Sequence, residues 1–123
     1  MILHIDTTQN KAIGISLEKD GKVLFKKEIK TDFDQAKKLL PAISKILKDS
    51  KAELAEISGI EVVNKGGSFT SLRIGVVTAN ALGYALGVPV KAPFGEGKEE
   101  SGFSIVEPFY DREPNIGKSK VES

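Results

Sequence analysis

The chain has 123 residues, 40% apolar and 28% charged, with 18 Lys or Arg against 17 Asp or Glu, the size and balance of one soluble globular domain. It holds no cysteine and one histidine, His4, which excludes a disulfide framework, a thiolate zinc site, a cysteine nucleophile and a multi-histidine metal centre. No apolar run approaches the ~20 residues that span a bilayer, and Met1 leads into a strand-like run without a basic leader, so a cytoplasmic location is expected. Residues 1–92 carry a net charge of +4 and residues 93–123 a net of −3. Neither balance suits a protein that grips nucleic acid unaided through many phosphate contacts.

Residues 2–6 form a short apolar run that ends in Asp6, with Thr7 and Thr8 beyond. Ile13, Ile15 and Leu17 alternate with Gly14 and Ser16, the period of a half-buried strand. Asp20-Gly21 supplies a tight hairpin turn and residues 23–29 return as its partner, so three strands read as a meander. From Asp34 the period changes. Ala36, Leu39, Leu40, Ile43, Ile46 and Leu47 share one stripe of a helix over 34–48, with lysines 37, 38, 45 and 48 outside it. Thr31 or Asp32 is placed to cap this helix, and Pro41 inside it is expected to bend the axis. Residues 57–63 are β-branched enough for a fourth strand. A glycine turn at 65–67 then leads into a second helix over 70–86, closed by Gly87 and Pro89.

Beyond residue 92 the character shifts. Residues 93–123 hold four Gly, three Pro, four Ser and eleven charges, the composition of a linker or loosely held segment. One apolar island, 103–110, is suited to docking on the 1–92 domain.

The second helix has more apolar surface than one face needs. At 100° per residue, Leu72, Gly75, Val76, Ala79, Gly83 and Leu86 fall on one side. Ile74, Ala81 and Ala85 fall on the opposite side, with Val77 at their margin and Arg73, Asn80 and Tyr84 as the polar stripe between. Gly75, Ala79 and Gly83 repeat every four residues and open a shallow groove. Glycine inside a helix costs about 1 kcal/mol relative to alanine, so this stripe asks for a packing reason. Either the first helix and the 103–110 island cover both faces within the monomer or one face meets a partner subunit; a lobe of this size has few elements to cover two faces, and the partner is expected.

Candidate chemistry is sparse. Asp6, Thr7, Gly66, Gly67, Ser68 and Arg73 could together cradle a phosphate at a helix N-terminus. The plainer reading of the same residues is a strand-to-helix turn with Ser68 or Thr70 as N-cap, and it is preferred. Asp6 and Glu61 are two carboxylates at strand ends, too few for a two-metal nuclease. His4 lies inside a strand without an evident acid or base partner and is read as a packed or edge residue. Gly117-Lys118-Ser119 mimics the end of a phosphate loop, but Arg112 stands where that motif needs its first glycine.

Ile5-Asp6-Thr7-Thr8, the Asp20-Gly21 turn, Leu39-Leu40-Pro41 and the string Gly67-Ser68-Phe69-Thr70-Ser71-Leu72-Arg73-Ile74-Gly75, followed by Ala79, Leu82 and Gly87-Val88-Pro89, resemble the TsaB (YeaZ) family of bacterial tRNA-modification subunits. The resemblance runs in order over residues 2–92. It implies an α/β lobe of the actin/Hsp70/sugar-kinase type, with a mixed five-stranded sheet of ribonuclease-H topology and two main helices. It also implies a non-catalytic role in synthesis of N6-threonylcarbamoyladenosine (t6A), pairing with the catalytic paralogue TsaD through the helices of this lobe. TsaE is then met through the TsaD complex, a homodimer forms through the same surface, and tRNA is reached only indirectly. No cofactor, metal or membrane is implied. Family members have Gly-Pro-Gly where this chain has Lys65-Gly66-Gly67, glycine where it has Ser71, and a histidine near Phe33 and Asp34. They also continue into a second lobe that the resemblance does not reach here, and the paired-histidine motif of the catalytic paralogue is missing.

The reading is therefore a single TsaB-like lobe over 1–92 followed by a Gly/Pro/charge-rich segment over 93–123. Its expected partner interface comprises Leu40, Ile43, Leu47, Leu72, Gly75, Val76, Ala79, Gly83 and Leu86, and residues 40, 43 and 47 could serve the monomer core instead. The alternatives are a nucleotide-binding, phosphotransferase-like module of the same superfold using Asp6 and the 65–68 loop, and a stand-alone homodimeric scaffold.

Overall fold

The computed structural model describes residues 1–92, 98–100 and 103–105. The strands β1 (Ile2–Asp6), β2 (Ala12–Lys19) and β3 (Lys22–Lys30) run as an antiparallel meander. Asp20 and Gly21 turn the hairpin with φ of 55° and 79°, the two positive values that a two-residue turn matching strand twist requires. Helix α1 (Gln35–Asp49) leads through a short 3-10 turn, Leu54–Glu56, into β4 (Gly59–Val62). Helix α2 (Phe69–Leu86) then leads into β5 (Val90–Lys91). β4 lies parallel to β1 and β5 parallel to β4.

The sheet order is therefore β3-β2-β1-β4-β5, the ribonuclease-H-like α/β arrangement that the sequence implies. A separate two-stranded hairpin, β6 (Lys98–Glu100) with β7 (Phe103–Ile105), follows, and β7 runs beside α2 and β5. Of the apolar island expected to dock, residues 106–110 lie outside the described residues, as do Arg112 and Gly117-Lys118-Ser119.

Register explains the core. Leu3 stands between Leu17 on β2 and Ile60 on β4, and Ile5 between Ile15 and Val62. With Ile13 and Val90 these side chains make one apolar sheet face, almost wholly shielded from solvent. Both helices cover that face: Leu39, Ala42, Ile43, Ile46 and Leu47 from α1, and Val76 and Ala79 from α2, join it in one cluster. Each buried Leu, Ile or Val contributes roughly 1.5–3 kcal/mol. The other sheet face, which presents Ile2, His4, Asp6, Ser16, Glu18 and Glu61, carries neither helix.

Element ends differ from expectation in three places. Asp34, not Thr31 or Asp32, occupies the α1 N-cap, and its carboxylate accepts from the Asp32 N–H instead of capping the helix. Thr31 turns its hydroxyl to the Asn10 carbonyl. The fourth strand is shorter than 57–63, and Glu53 and Glu56 close a reciprocal capping box on the 3-10 turn that precedes it. Pro41 sits exposed on an unbroken α1.

Candidate functional site

The polar end of β1 is the first place to look for chemistry, and its groups are already engaged with one another. Asp6 Oδ1 accepts from the Thr8 N–H at 2.9 Å and the Thr8 hydroxyl at 2.6 Å. Thr7 is fully buried and donates to the Ser71 carbonyl at 2.6 Å. The 65–68 loop lies on the β1 end so tightly that a Cβ on Gly67 would come within 2.8 Å of Thr8 Cα. Ser68 caps α2, its hydroxyl accepting from the Ser71 N–H at 3.1 Å, as the plainer reading of this turn had it.

Ser71, where family members have glycine, is a buried joint. Its hydroxyl donates to Asn10 Oδ1 at 2.8 Å and lies 3.4 Å from Gln35 Nε2, which also donates to the Gln9 carbonyl. This network ties the β1–β2 loop to the first turns of both helices. Asp6, Thr7, Gly67 and Ser68 thus serve as internal fasteners, and Gly66 turns the loop with φ of 100°. Arg73 lies apart from them on the outer side of α2. The structure gathers Asp6, Thr7, Gly67 and Ser68 and leaves Arg73 outside their contacts.

The open sheet face holds a concavity of about 500 Å³ lined by His4, Asp6, Ser16, Lys26, Glu61 and Lys91. His4 has the partners that the sequence concealed: its Nε2 lies 2.6 Å from Glu18 Oε1 and its Nδ1 3.6 Å from Glu61 Oε1. The imidazole therefore links β1 to β2 on one side and to β4 on the other. Glu61 stands directly beside His4 in the parallel register; only the sheet order could have revealed that contact. Among the described residues no group of three or more His, Asp or Glu side chains is arranged to hold a metal ion.

The helix layer settles which side of α2 is which. Leu72, Gly75, Val76, Ala79 and Gly83 all face inward and are buried. A Cβ on Gly75 would meet Thr7 Oγ1 at 2.5 Å, and one on Gly83 would overlap the Val90 side chain and stand 3.1 Å from the Val88 carbonyl. The small-residue stripe exists so that α2 can lie close on β1 and β5, not so that another helix can approach. The expected interface residues Ile43, Leu47, Leu72, Gly75, Val76, Ala79 and Gly83 are therefore core. They are unavailable to a partner of the folded lobe. Leu86 is half-buried, and of the nine only Leu40 is exposed, at 55%.

What the outside of the layer presents instead is Leu40 on α1 with Val77 and Tyr84 on α2, the last two 56% and 66% exposed. Between the helices runs a groove of about 400 Å³ lined by Ala36, Phe69, Thr70, Arg73, Ile74, Val77 and Thr78. Its lining is mostly apolar, with Arg73 as its one ionised group. The signal for this face was in the sequence, since Ile74, Ala81, Ala85 and Val77 form the second apolar side. Two acids flank α1 below their ordinary range: Asp34 through the Asp32 N–H and then Lys38, and Asp49 through Lys27, 2.9 Å away, with smaller help from Lys45 and Lys48.

Residues 32–92 match the family model described as TsaD, tRNA N6-adenosine threonylcarbamoyltransferase. The chain is 32% identical over 91 residues to the tRNA threonylcarbamoyladenosine biosynthesis protein TsaB of Bacillus subtilis, covering 74% of this chain and 39% of that protein. It is 34% identical over 102 residues to the tRNA N6-adenosine threonylcarbamoyltransferase of Nitratiruptor, covering 73% of this chain and 31% of the relative. The structure of YeaZ from Pseudomonas aeruginosa superposes with a TM-score of 0.68 at 26% identity, over 74% of this chain and 42% of that one. The chain thus spans about two fifths or less of the length of these relatives.

Proposed function

Over the stretch it shares with these relatives the chain belongs to the TsaB (YeaZ) family, and from that premise we propose that it is a non-catalytic subunit in the synthesis of t6A in tRNA, docking on TsaD through the outer face of its helix layer. The observation that carries this reading is the groove lined by Ala36, Phe69, Ile74 and Val77, with Val77 exposed on α2 and Leu40 exposed one turn beyond Ala36 on α1. A lobe that has closed its core against the sheet has no internal use for such a surface. Large apolar side chains beside a groove are the usual anchors of a protein interface.

The same side-chain inventory supports a lobe without chemistry of its own. Asp6, Thr7 and Ser68 are held in internal hydrogen bonds, and His4 is shared by two glutamates. Among the described residues these groups are engaged with one another. In this proposal TsaD performs the transfer, TsaE joins through the TsaD complex, tRNA is met only through the partner, and the assembly works in the cytoplasm. The lobe contributes a rigid apolar face against which a TsaD helix is ordered.

The experiment pairs binding with activity. The chain and the TsaD protein of the same organism are mixed and their complex measured by co-purification. t6A in tRNA is then quantified in a reconstituted reaction with and without the chain. Val77→Asp is expected to abolish both the complex and the stimulation while leaving the melting temperature unchanged. A complex and a t6A yield indifferent to Val77→Asp and to Leu40→Asp would sink the assignment of this face.

A further inference from the structure

The tip of the β2–β3 hairpin is used by neither the core nor the groove between the helices. Val23, Leu24 and Phe25 are 59%, 47% and 40% exposed, three consecutive apolar side chains on the outermost strand of the sheet. A folded lobe rarely leaves such a run in water without a use for it. Register spreads the three around the strand. Phe25 pairs with the core residue Leu17 and Val23 with Glu18 of the bare face, while Leu24 stands at a β-bulge without a cross-strand partner. Lys19, Lys22 and Lys26 surround them, exposed and without an ion pair among the described residues. Lys27 is paired with Asp49. Residues 19–27 hold four Lys against one acid, Asp20 in the turn. Of the other acids at this end, Glu18 is turned to the His4 imidazole, and Glu53 and Glu56 lie by Met1, on the far side of β2 from β3. Glu28 and Lys30 follow farther along β3.

We infer that this tip is a membrane-contact site, at which Val23, Leu24 and Phe25 enter the headgroup region of an anionic bilayer while Lys19, Lys22 and Lys26 meet lipid phosphates. An apolar wedge and a cationic surround are the two ingredients of peripheral binding, and each alone holds weakly. Two other occupants suit the tip less. An added strand would have to pair along β3, and that edge is guarded by the bulge and by Lys22, Lys26 and Lys30. A second copy paired antiparallel about Leu24 would set Lys22 of one copy beside Lys26 of the other. A bilayer asks for no backbone pairing and attracts those same lysines. No helix among the described residues is long and apolar enough to cross a membrane, so the contact is peripheral and reversible. It is a property that the family resemblance does not imply. Because Ile2 pairs with Glu18 and Asp6 with Gly14, the tip lies at the end of the sheet away from Asp6 and the Ser71 joint. The inference does not depend on the docking reading above.

The test is flotation of the purified full chain with vesicles of phosphatidylcholine, alone or with roughly a third phosphatidylglycerol, at ~50 mM and ~500 mM salt. Wild type is expected to float with the anionic vesicles at low salt, and to stay behind at high salt or with phosphatidylcholine alone. Leu24→Ser should weaken binding about tenfold and Lys22→Gln about fivefold. Lys37→Gln removes the same charge from the first turn of α1, by the Asn10 loop, and should bind as wild type does. All three positions are exposed, and agreement of the melting temperatures shows that folding is intact. The chain has no tryptophan, so Leu24→Trp gives a second reading. Its emission should shift to the blue on anionic vesicles and be quenched by brominated acyl chains. Wild type that fails to float at low salt, or flotation that Leu24→Ser leaves intact, overturns the inference. So does a Leu24→Trp emission unchanged by the vesicles. Self-association of the chain, or a complex with TsaD, that Leu24→Ser breaks would give the tip to a protein partner and overturn it as well.

Discussion

On α2 the side turned to the sheet is made of Leu72, Gly75, Val76, Ala79 and Gly83, and the side turned to solvent of Arg73, Val77, Ala81 and Tyr84. The inner side is the smaller one. Gly75 and Gly83 let the helix axis approach the sheet until Thr7 and Val90 fill the space where their side chains would be. Burial here is achieved by closeness, with dispersion contacts from backbone and Cβ atoms in place of long apolar side chains. On the outer side Arg73, Val77, Ala81 and Tyr84 stay exposed. Apolar content marks both faces of this helix, while Gly75 and Gly83 mark the buried one.

The sharpest way to break that comparison is one charge placed on each side in turn. Ala79 has no exposed surface, so Ala79→Arg buries a cation without a counter-charge. It should cost more than about 4 kcal/mol and leave little folded protein. Val77→Arg, half a turn away on the exposed side, should leave the urea midpoint within about 0.5 kcal/mol of wild type and lose TsaD binding. Equal loss of stability in the two variants would mean that both sides of α2 are core.

A finer cut uses single methyl groups. Gly75→Ala should be neutral or stabilising by helix propensity alone, by about 1 kcal/mol. The crowding against Thr7 Oγ1 should reverse the sign and give a net loss of about 1–3 kcal/mol. Thr7→Ala removes the obstructing hydroxyl and methyl, so in that background Gly75→Ala should cost clearly less. The coupling read from the double-mutant cycle in urea denaturation measures the contact directly. Additivity of the two changes would show that the helix does not rest on Thr7.

These contacts also explain where sequence reading succeeded and where it stopped. The meander, the Asp20-Gly21 turn and four of the six apolar positions on α1 follow from period and turn chemistry alone, because each depends on residues adjacent in the chain, whereas Ala36 and Leu40 of the same stripe are exposed. The inward face of α2 was identified correctly as a close-packing surface, but its partner was misjudged. A helical wheel shows that something approaches Gly75 and Gly83 without saying whether it is a strand of the same lobe or a helix of another. His4 with Glu18 and Glu61 was hidden for the same reason. Those partners lie 14 and 57 residues away and meet only through register. The Asn10–Ser71–Gln35 network was equally illegible, since it joins three segments across the sheet's end.

The N-terminal turn of α2 tests whether that network or the helix alone sets local stability. Ser68→Ala removes the cap to the Ser71 N–H, for which about 1 kcal/mol is the usual loss. Ser68 also lies 3.3 Å from Asn10 Oδ1, so Asn10→Ala should reduce stability by a comparable amount, and the pair should combine less than additively. Hydrogen exchange of the Ser71 amide reads the same event locally. Strict additivity would reduce the network to two independent bonds.

The smallest effect concerns the far end of α1, where the helix layer meets the β3 edge through Asp49 and Lys27 at 2.9 Å. The Lys27 partner holds the Asp49 carboxyl below its ordinary value, so folding favours the ionised form. The contribution is therefore complete above the unfolded value of about 4 and is lost as the pH falls through the lower folded value. Asp49→Asn should melt slightly below wild type at neutral pH, and the gap should close on acidification below pH ~4. Because both side chains are solvated, added salt should narrow the same gap at neutral pH. A gap that persists in acid would assign the difference to the uncharged carboxyl group, not to its charge. In that case charge at the edge of the helix layer would matter only for what docks there, and not for the fold beneath it.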